Sequence, residues 1–590
     1  MSVSAAPQIA LQAFSDARRK FPFGVDGANL PVDDVPPAVA AEPGPVAAAT
    51  TAAVPANRVS AGSAQALLAP QAARSYGVTG AGIKVGILSD SFNLKGGMAA
   101  DIANGSLPTA VKILKDGPAS GADEGRAMAE LVHKIAPGAA IDFYSGFYSA
   151  ADMAAGIAAL VRDGCNIIVD DITYLNEPFF QTGDVLQNAV SAAIKSGVSY
   201  FTSASNEGRN FYQASFTGIQ AALPGIAGSY LAENFGTAAA PVTRQSLTIA
   251  RGTTSIIDLQ WDQPFAGIGG SKGAANSLGM ALYNSNNQVV AYATLNDVNR
   301  NPNQIMQFTN TTASTSFSLA IFSNGGSTTP GLFKYIVYGS GTTINDAKAG
   351  QGSGTLIGHE EVAAANVVGA AAYNTTAAFG GKNAVESFSS VGPSSLLFDA
   401  TGSRLVAPAS SGGVDFVAPD GSATNVFPSF YGTSAAAPNA AGVAALMLQA
   451  NPTLTPAQIS AGLAGSTIAA TGTAGSTGMG LIQATTAVKL ALAGATGAVA
   501  QTIASGLAAA TSSAGVAVRN GLDSTLSVDD ALAALATDPT KPGDFYASID
   551  PVIAAALPVQ DLSASGSASV FAMLNNAAIG VPYQTNIHII

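Results

Sequence analysis

Ser434 stands in Gly432-Thr433-Ser434-Ala435-Ala436-Ala437-Pro438, ahead of the uncharged run 439–450. A serine placed where a tight glycine turn opens a buried helix presents its hydroxyl at the positive end of the helix dipole. Backbone N–H groups there can hold an oxyanion. That is the mounting of an acyl-transfer nucleophile, although the same stretch would also suit a plain capped, Ala-rich helix. Two acids, Asp170-Asp171, close the run Ile167-Ile168-Val169. Paired carboxylates at the end of a strand serve a nearby reacting group, select substrate, cap a loop or hold a cation weakly. Asp297, among Asn296, Asn299 and Asn301, is explained better by turn chemistry than by calcium. Cys165, the single cysteine, excludes an intrachain disulfide and any Cys-x-x-Cys metal site, and reads as a buried structural residue.

These residues need a frame, and the chain alternates two textures. Between about 61 and 213, short β-branched runs (Ile83 to Leu88, Ile141 to Tyr144, Ile167 to Val169, Val198 to Phe201) alternate with helical segments near 124–135, 151–162 and 185–195. That order predicts an α/β fold, a parallel sheet with helices on both faces and its site beyond the carboxyl ends of the strands. From 214 to 355 the pattern becomes short alternating strands broken by Asn, Gly, Ser and Thr, which predicts an inserted antiparallel β-sandwich. Trp261 there reads as core. The α/β texture resumes over 356–498. Residues 1–60, rich in Pro and Ala from about 31, form a low-complexity arm and linker, and 499–590 form a tail of unassigned role with one signalled helix at Ser527 to Leu532.

Charge narrows the partners. With 25 Lys+Arg against 37 Asp+Glu the formal net charge is −12, and no dense basic run is present, which argues against nucleic acid or an anionic membrane surface. The segment Leu490 to Val518 lacks charge, but its Ala, Gly, Ser and Thr supply too little transfer energy for stable membrane insertion. The basic residues near the N-terminus follow a mixed polar stretch, so no Sec signal peptide is recognisable.

Four segments in order resemble the subtilisin-like serine peptidases (the subtilases) and the related sedolisins. Gly432-Thr433-Ser434 with Pro438 is similar to the nucleophile motif. Gly82 to Ser91 resembles the strand ending in the catalytic aspartate, here Asp90, and Thr202 to Gly208 resembles the segment of the oxyanion-hole asparagine, here Asn206. Gly478-Met479-Gly480-Leu481-Ile482 with Ala484 resembles the segment that closes the catalytic domain. The resemblance covers about 75–210 and 356–490. It implies a subtilisin-like sheet, a jelly-roll-like insert, a polypeptide substrate, no cofactor with structural calcium left open, and a bacterial-type protein working outside the cell or on its surface. It also puts Asp170, Asp171, Gly358 and His359 near the substrate pocket.

The departures carry as much information. Phe92 follows Ser91 where the family has glycine, and Ser205 replaces a glycine before Asn206. The catalytic histidine is missing: Asp123-Glu124-Gly125-Arg126 stands there, with Glu124 at its position. At about 100° per residue, Met128, Leu131 and Ile135 fall within about 40° of Glu124, whereas Arg126, Glu130, His133 and Lys134 lie about 180–280° round. Glu124 therefore heads the buried stripe and His133 faces away; His588 has no context. Sedolisins use a Ser-Glu-Asp triad, but their aspartate follows four residues after the glutamate, where this chain has Met128. The resemblance thus implies Ser434 as nucleophile, Glu124 as base, Asp90 orienting Glu124 and sharing its proton, Asn206 in the oxyanion hole, and activity on the acid side. The competing expectation is a catalytically silent subtilase scaffold that acts as a binding module, and hydrolysis is not separable from transpeptidation.

Overall fold

The computed structural model describes residues 56–326 and 328–494. The arm up to residue 55, most of the segment Leu490 to Val518, the tail and His588 lie outside the described residues. Seven strands, β1 (Lys84–Ser89), β2 (Val111–Lys115), β3 (Ala140–Ser145), β4 (Ile167–Asp170), β5 (Ser199–Ser203), β6 (Asn366–Ala372) and β7 (Phe416–Asp420), form one sheet in the order β2-β3-β1-β4-β5-β6-β7. Every pairing is parallel. Such a sheet must be covered on both faces, and alternate side chains supply the two faces. Ile87, Val169 and Phe201 pack under α1 (Glu124–Ile135) and, later in the chain, the long helix Thr433–Ala450. Leu88, Ile168 and Tyr200 point the other way, against α2 (Ala150–Arg162) and α3 (Val185–Lys195). The long helix is α4.

Helix α4 is uncharged and buried on nearly all sides, which is why it shows no amphipathic stripe. It touches α1 where Gly442 meets Ile135: a Cβ added at 442 would lie 2.7 Å from the Cβ of Ile135, closer than two such atoms can approach. Ile135 is held by its backbone, so the helices themselves would have to part. Gly442→Val is expected to destabilise the fold by about 1–3 kcal/mol. Because α1 and α4 carry Glu124 and Ser434, it should lower activity as well; a urea melt beside an activity assay measures both.

Between β5 and β6 lie two antiparallel sheets. Strands Phe211–Ser215, Thr254–Trp261, Asn303–Thr309 and Leu332–Tyr338 make one, and the other is built around Asn276–Asn284 and Ser316–Gly326. They share one core containing Tyr212, Leu259, Trp261, Leu278, Met280 and Leu282. The pairing begins at Phe211, three residues ahead of the boundary drawn from the sequence, because Phe211 is the register partner of Ile336. Gln260 fastens this region to the α/β part: its Nε2 donates to Glu177 O at 2.8 Å and its Oε1 accepts from Phe179 N at 2.9 Å.

Candidate active site

The nucleophile candidate is mounted by a turn and a helix start. Gly432, at φ 113°, is the residue before α4 and lies in a region that favours glycine. Its N–H donates to Asp420 Oδ2 at 2.8 Å. Ser434 is the second residue of α4, so its N–H is one of the four that have no acceptor within the helix. Pro438 contributes no N–H, so the Ser434 carbonyl lacks the usual donor four residues on.

Asn206 reaches this turn from beyond β5. Its Oδ1 accepts from Thr433 N at 3.0 Å and from Thr433 Oγ1 at 3.1 Å. The carbonyl end of the amide is thereby fixed, and the donor end, Nδ2, is the end away from Thr433. Ser205, which replaces the glycine of the subtilase pattern, has φ 54°, a left-handed conformation that explains the glycine preference. Its hydroxyl lies 2.7 Å from Thr173 Oγ1 and also bonds the buried carboxyl of Glu360, which accepts from Thr173 Oγ1 at 2.7 Å. Glu360 so bridges the segments that follow β4 and β5. The sequence reading did not single out Glu360, and its only signal was adjacency to His359.

Asp90 ends β1 and points at the start of α1. One carboxylate oxygen accepts from the N–H groups of Ser91 and, at 2.9 Å, Glu124; the other accepts from Ala122 N–H. Burial raises its affinity for a proton, and the three N–H donors oppose that rise. The expected sharing of a proton between the Asp90 and Glu124 side chains is not how the two meet: Asp90 holds Glu124 by its main chain. The Glu124 carboxyl faces the Ser434 hydroxyl and the Asp171 carboxyl, which lower its affinity for a proton, while burial, then the Asp90 charge, push it up to about 7.

Three of the four pocket residues expected from the sequence are interior. His359 is fully buried, its Nδ1 2.9 Å from Glu177 Oε2 and its Nε2 3.2 Å from Asp170 Oδ1. Burial alone would lower its pKa, but the two flanking carboxylates hold the imidazole protonated, well above its ordinary range. Asp170 also accepts from Thr202 Oγ1 at 2.9 Å. Gly358, at φ 53°, carries the backbone past Glu177, whose carboxylate leaves no room for a Cβ. Only Asp171 is half-buried at the cleft.

Helix α1 also departs from its wheel. Arg126 and Glu130, expected on an outward face, are buried because the loop 91–107 and the segment around Asn425 fold over that side. Arg126 pairs with Asp101 and, at 3.2 Å, with Asp123, while Glu130 accepts from Asn425 N at 2.7 Å. His133 is partly buried, and burial lowers its pKa. Cys165 is buried, with its thiol pushed up by burial. Among the described residues no group of three or more His, Cys, Asp or Glu side chains is arranged to hold a metal ion. None of their helices is long and apolar enough to cross a membrane.

The family model described as "Subtilase family" matches residues 117–481. No curated protein matches the chain. Among solved structures, the CspB protease of Clostridium perfringens is similar at 12% identity, over 73% of this chain and 97% of that one, with a TM-score of 0.47. A lanthipeptide protease is similar at 13% identity over 72% and 95%, TM-score 0.35. Proteases of Pseudoalteromonas arctica are similar at 14% over 72% and 94%, TM-score 0.32.

Proposed function

Because the chain belongs to the subtilase family, a family of serine peptidases, we propose that it is a serine endopeptidase whose general base is Glu124 in place of histidine. The observation that carries this reading is that the Glu124 carboxyl faces the Ser434 hydroxyl at the start of α4. Glu124 takes the Ser434 proton as Oγ attacks a peptide carbonyl carbon. The oxyanion lies against the Ser434 N–H and the Asn206 amide. As the C–N bond breaks, Glu124 gives the proton to the leaving amine, and water resolves the acyl-enzyme by the same route.

The base must be ionised to act. A free glutamate titrates near about 4.3, whereas burial moves Glu124 up to about 7. The acid limb of activity falls between those values, and the maximum lies below pH 8. Fluorophosphonate labelling and casein cleavage from pH 3 to 9 test the reading. Labelling with a maximum below pH 8 supports it; a maximum at pH 8 or above overturns the base assignment, and no labelling at any pH favours a silent scaffold.

Asn206→Ala is expected to lower kcat by about 10²–10³-fold with little change in KM, because the lost donor acts on the developing oxyanion. Steady-state hydrolysis of a peptide ester measures it. The reading includes work outside the cell or at its surface, as is common for subtilases, and takes the two antiparallel sheets as a jelly-roll-like insert of separate role.

A further inference from the structure

Asp171 is the first residue past β4, and β4 pairs β1 with Leu88 opposite Asp170. The register therefore delivers Asp171 to the same sheet edge as Asp90, where α1 begins with Glu124. Both Asp90 oxygens are already occupied by main-chain N–H groups. The Asp171 carboxyl instead lies against the Glu124 side chain, and its Oδ1 is buried without a partner. The groups acting on this pair are the Ser89 hydroxyl in β1, Asp90 just past it, Asp170 at the end of β4 and the Ser434 hydroxyl on α4; no lysine or arginine is among them. His359 sits on Asp170 and is shared with Glu177.

Two neighbouring carboxyls without a cation between them cannot both be ionised cheaply. We propose that Asp171 is the positioning residue for the base, holding one proton that it donates to the Glu124 carboxylate and so aiming Glu124 at Ser434. This rests on the reading of Glu124 as the base. During acylation the Ser434 proton moves to Glu124 and then to the leaving nitrogen, and the Asp171 proton stays in place. Asp171 is the more strongly proton-holding partner, through burial first and then the charges of Glu124 and Asp90. A neutral carboxylic acid kept as a hydrogen-bond donor has this physical basis.

The test is the pH dependence of fluorophosphonate labelling from pH 4 to 10 on the full chain, wild type against Asp171→Asn, Asp171→Ala and Glu124→Gln. Wild type should give a bell: the acid limb marks a second proton on the pair, and the alkaline limb marks loss of the last one. Asn still donates but has no proton to lose. Asp171→Asn should therefore keep the acid limb, lose the alkaline limb and stay within about tenfold of the wild-type maximum, while Asp171→Ala should fall by about 10²-fold at every pH. A purely structural role would scale the profile without removing one limb. An unchanged bell in Asp171→Asn, or full rates in Asp171→Ala, overturns the proposal. Should the variants fail to fold, a wild-type profile flat to pH 10 overturns it and a bell supports it. Wild-type labelling in Glu124→Gln would sink the base assignment itself, a separate failure.

Discussion

Ser434→Ala is expected to abolish fluorophosphonate labelling, and Ser434→Ala and Glu124→Gln are each expected to lower peptide hydrolysis by roughly 10⁶-fold, with the fold intact in both. Removing the hydroxyl leaves no atom to form the acyl bond. Glutamine keeps the shape of Glu124 but cannot take a proton. Groups that act as a unit are not additive, so the double variant should be no worse than Ser434→Ala alone. What survives is the contribution of Asn206 and the Ser434 N–H, which do not depend on either side chain. Neither substitution should cost much stability: Ser434 and Glu124 are half-buried, and the main-chain N–H of Glu124 that anchors α1 to Asp90 is kept. Hydrolysis unchanged in both variants would exclude Ser434 and Glu124 as the reacting groups. A collapse of hydrolysis with unchanged thermal midpoints is the outcome that belongs to an active site.

The strand and helix order was legible because its signals are local. Ile167-Ile168-Val169 reads as a strand buried on both faces, and Ile168 and Val169 do lie on opposite sides of the sheet. Ser434 was legible because a glycine turn and a helix start announce themselves within three residues. Asp171 beside Glu124 was legible only as one of several readings of the Asp170-Asp171 pair, since the two residues lie 47 positions apart and come together only through the β1–β4 register. The helical wheel failed at Arg126 and Glu130 for a related reason. A wheel assigns one buried stripe, and it cannot anticipate a loop that covers the opposite side and pairs its charges. His359 shows the same limit: its burial is compensated by Glu177 and Asp170, both more than 180 residues earlier in the chain.

Stability should be greatest in mild acid and fall as the pH rises from about 4.5 to 8. Glu130, Glu360 and Glu361 are 0–3% exposed. Burial is the first cause in each case, and each is pushed up to about 8. In the unfolded chain they titrate near about 4.3. Between those values the folded state holds protons that the unfolded state has released, so stability decreases with pH by about 1.4 kcal/mol per unit for each net proton retained. One such group acting alone would remove roughly 4 kcal/mol over three pH units. His359 acts in the same direction, since its proton is held in the fold beyond the range where a free imidazole loses it. Lys334 opposes the trend only above about 8, the value to which burial lowers it, where the unfolded chain keeps the proton that the fold has lost. Thermal midpoints measured at fixed ionic strength from pH 4.5 to 8.5 should fall by several degrees, and a flat or rising series would show that these carboxyls ionise in place. Glu360→Gln should flatten the series in part, because a neutral side chain then bridges Thr173 and Ser205 at every pH.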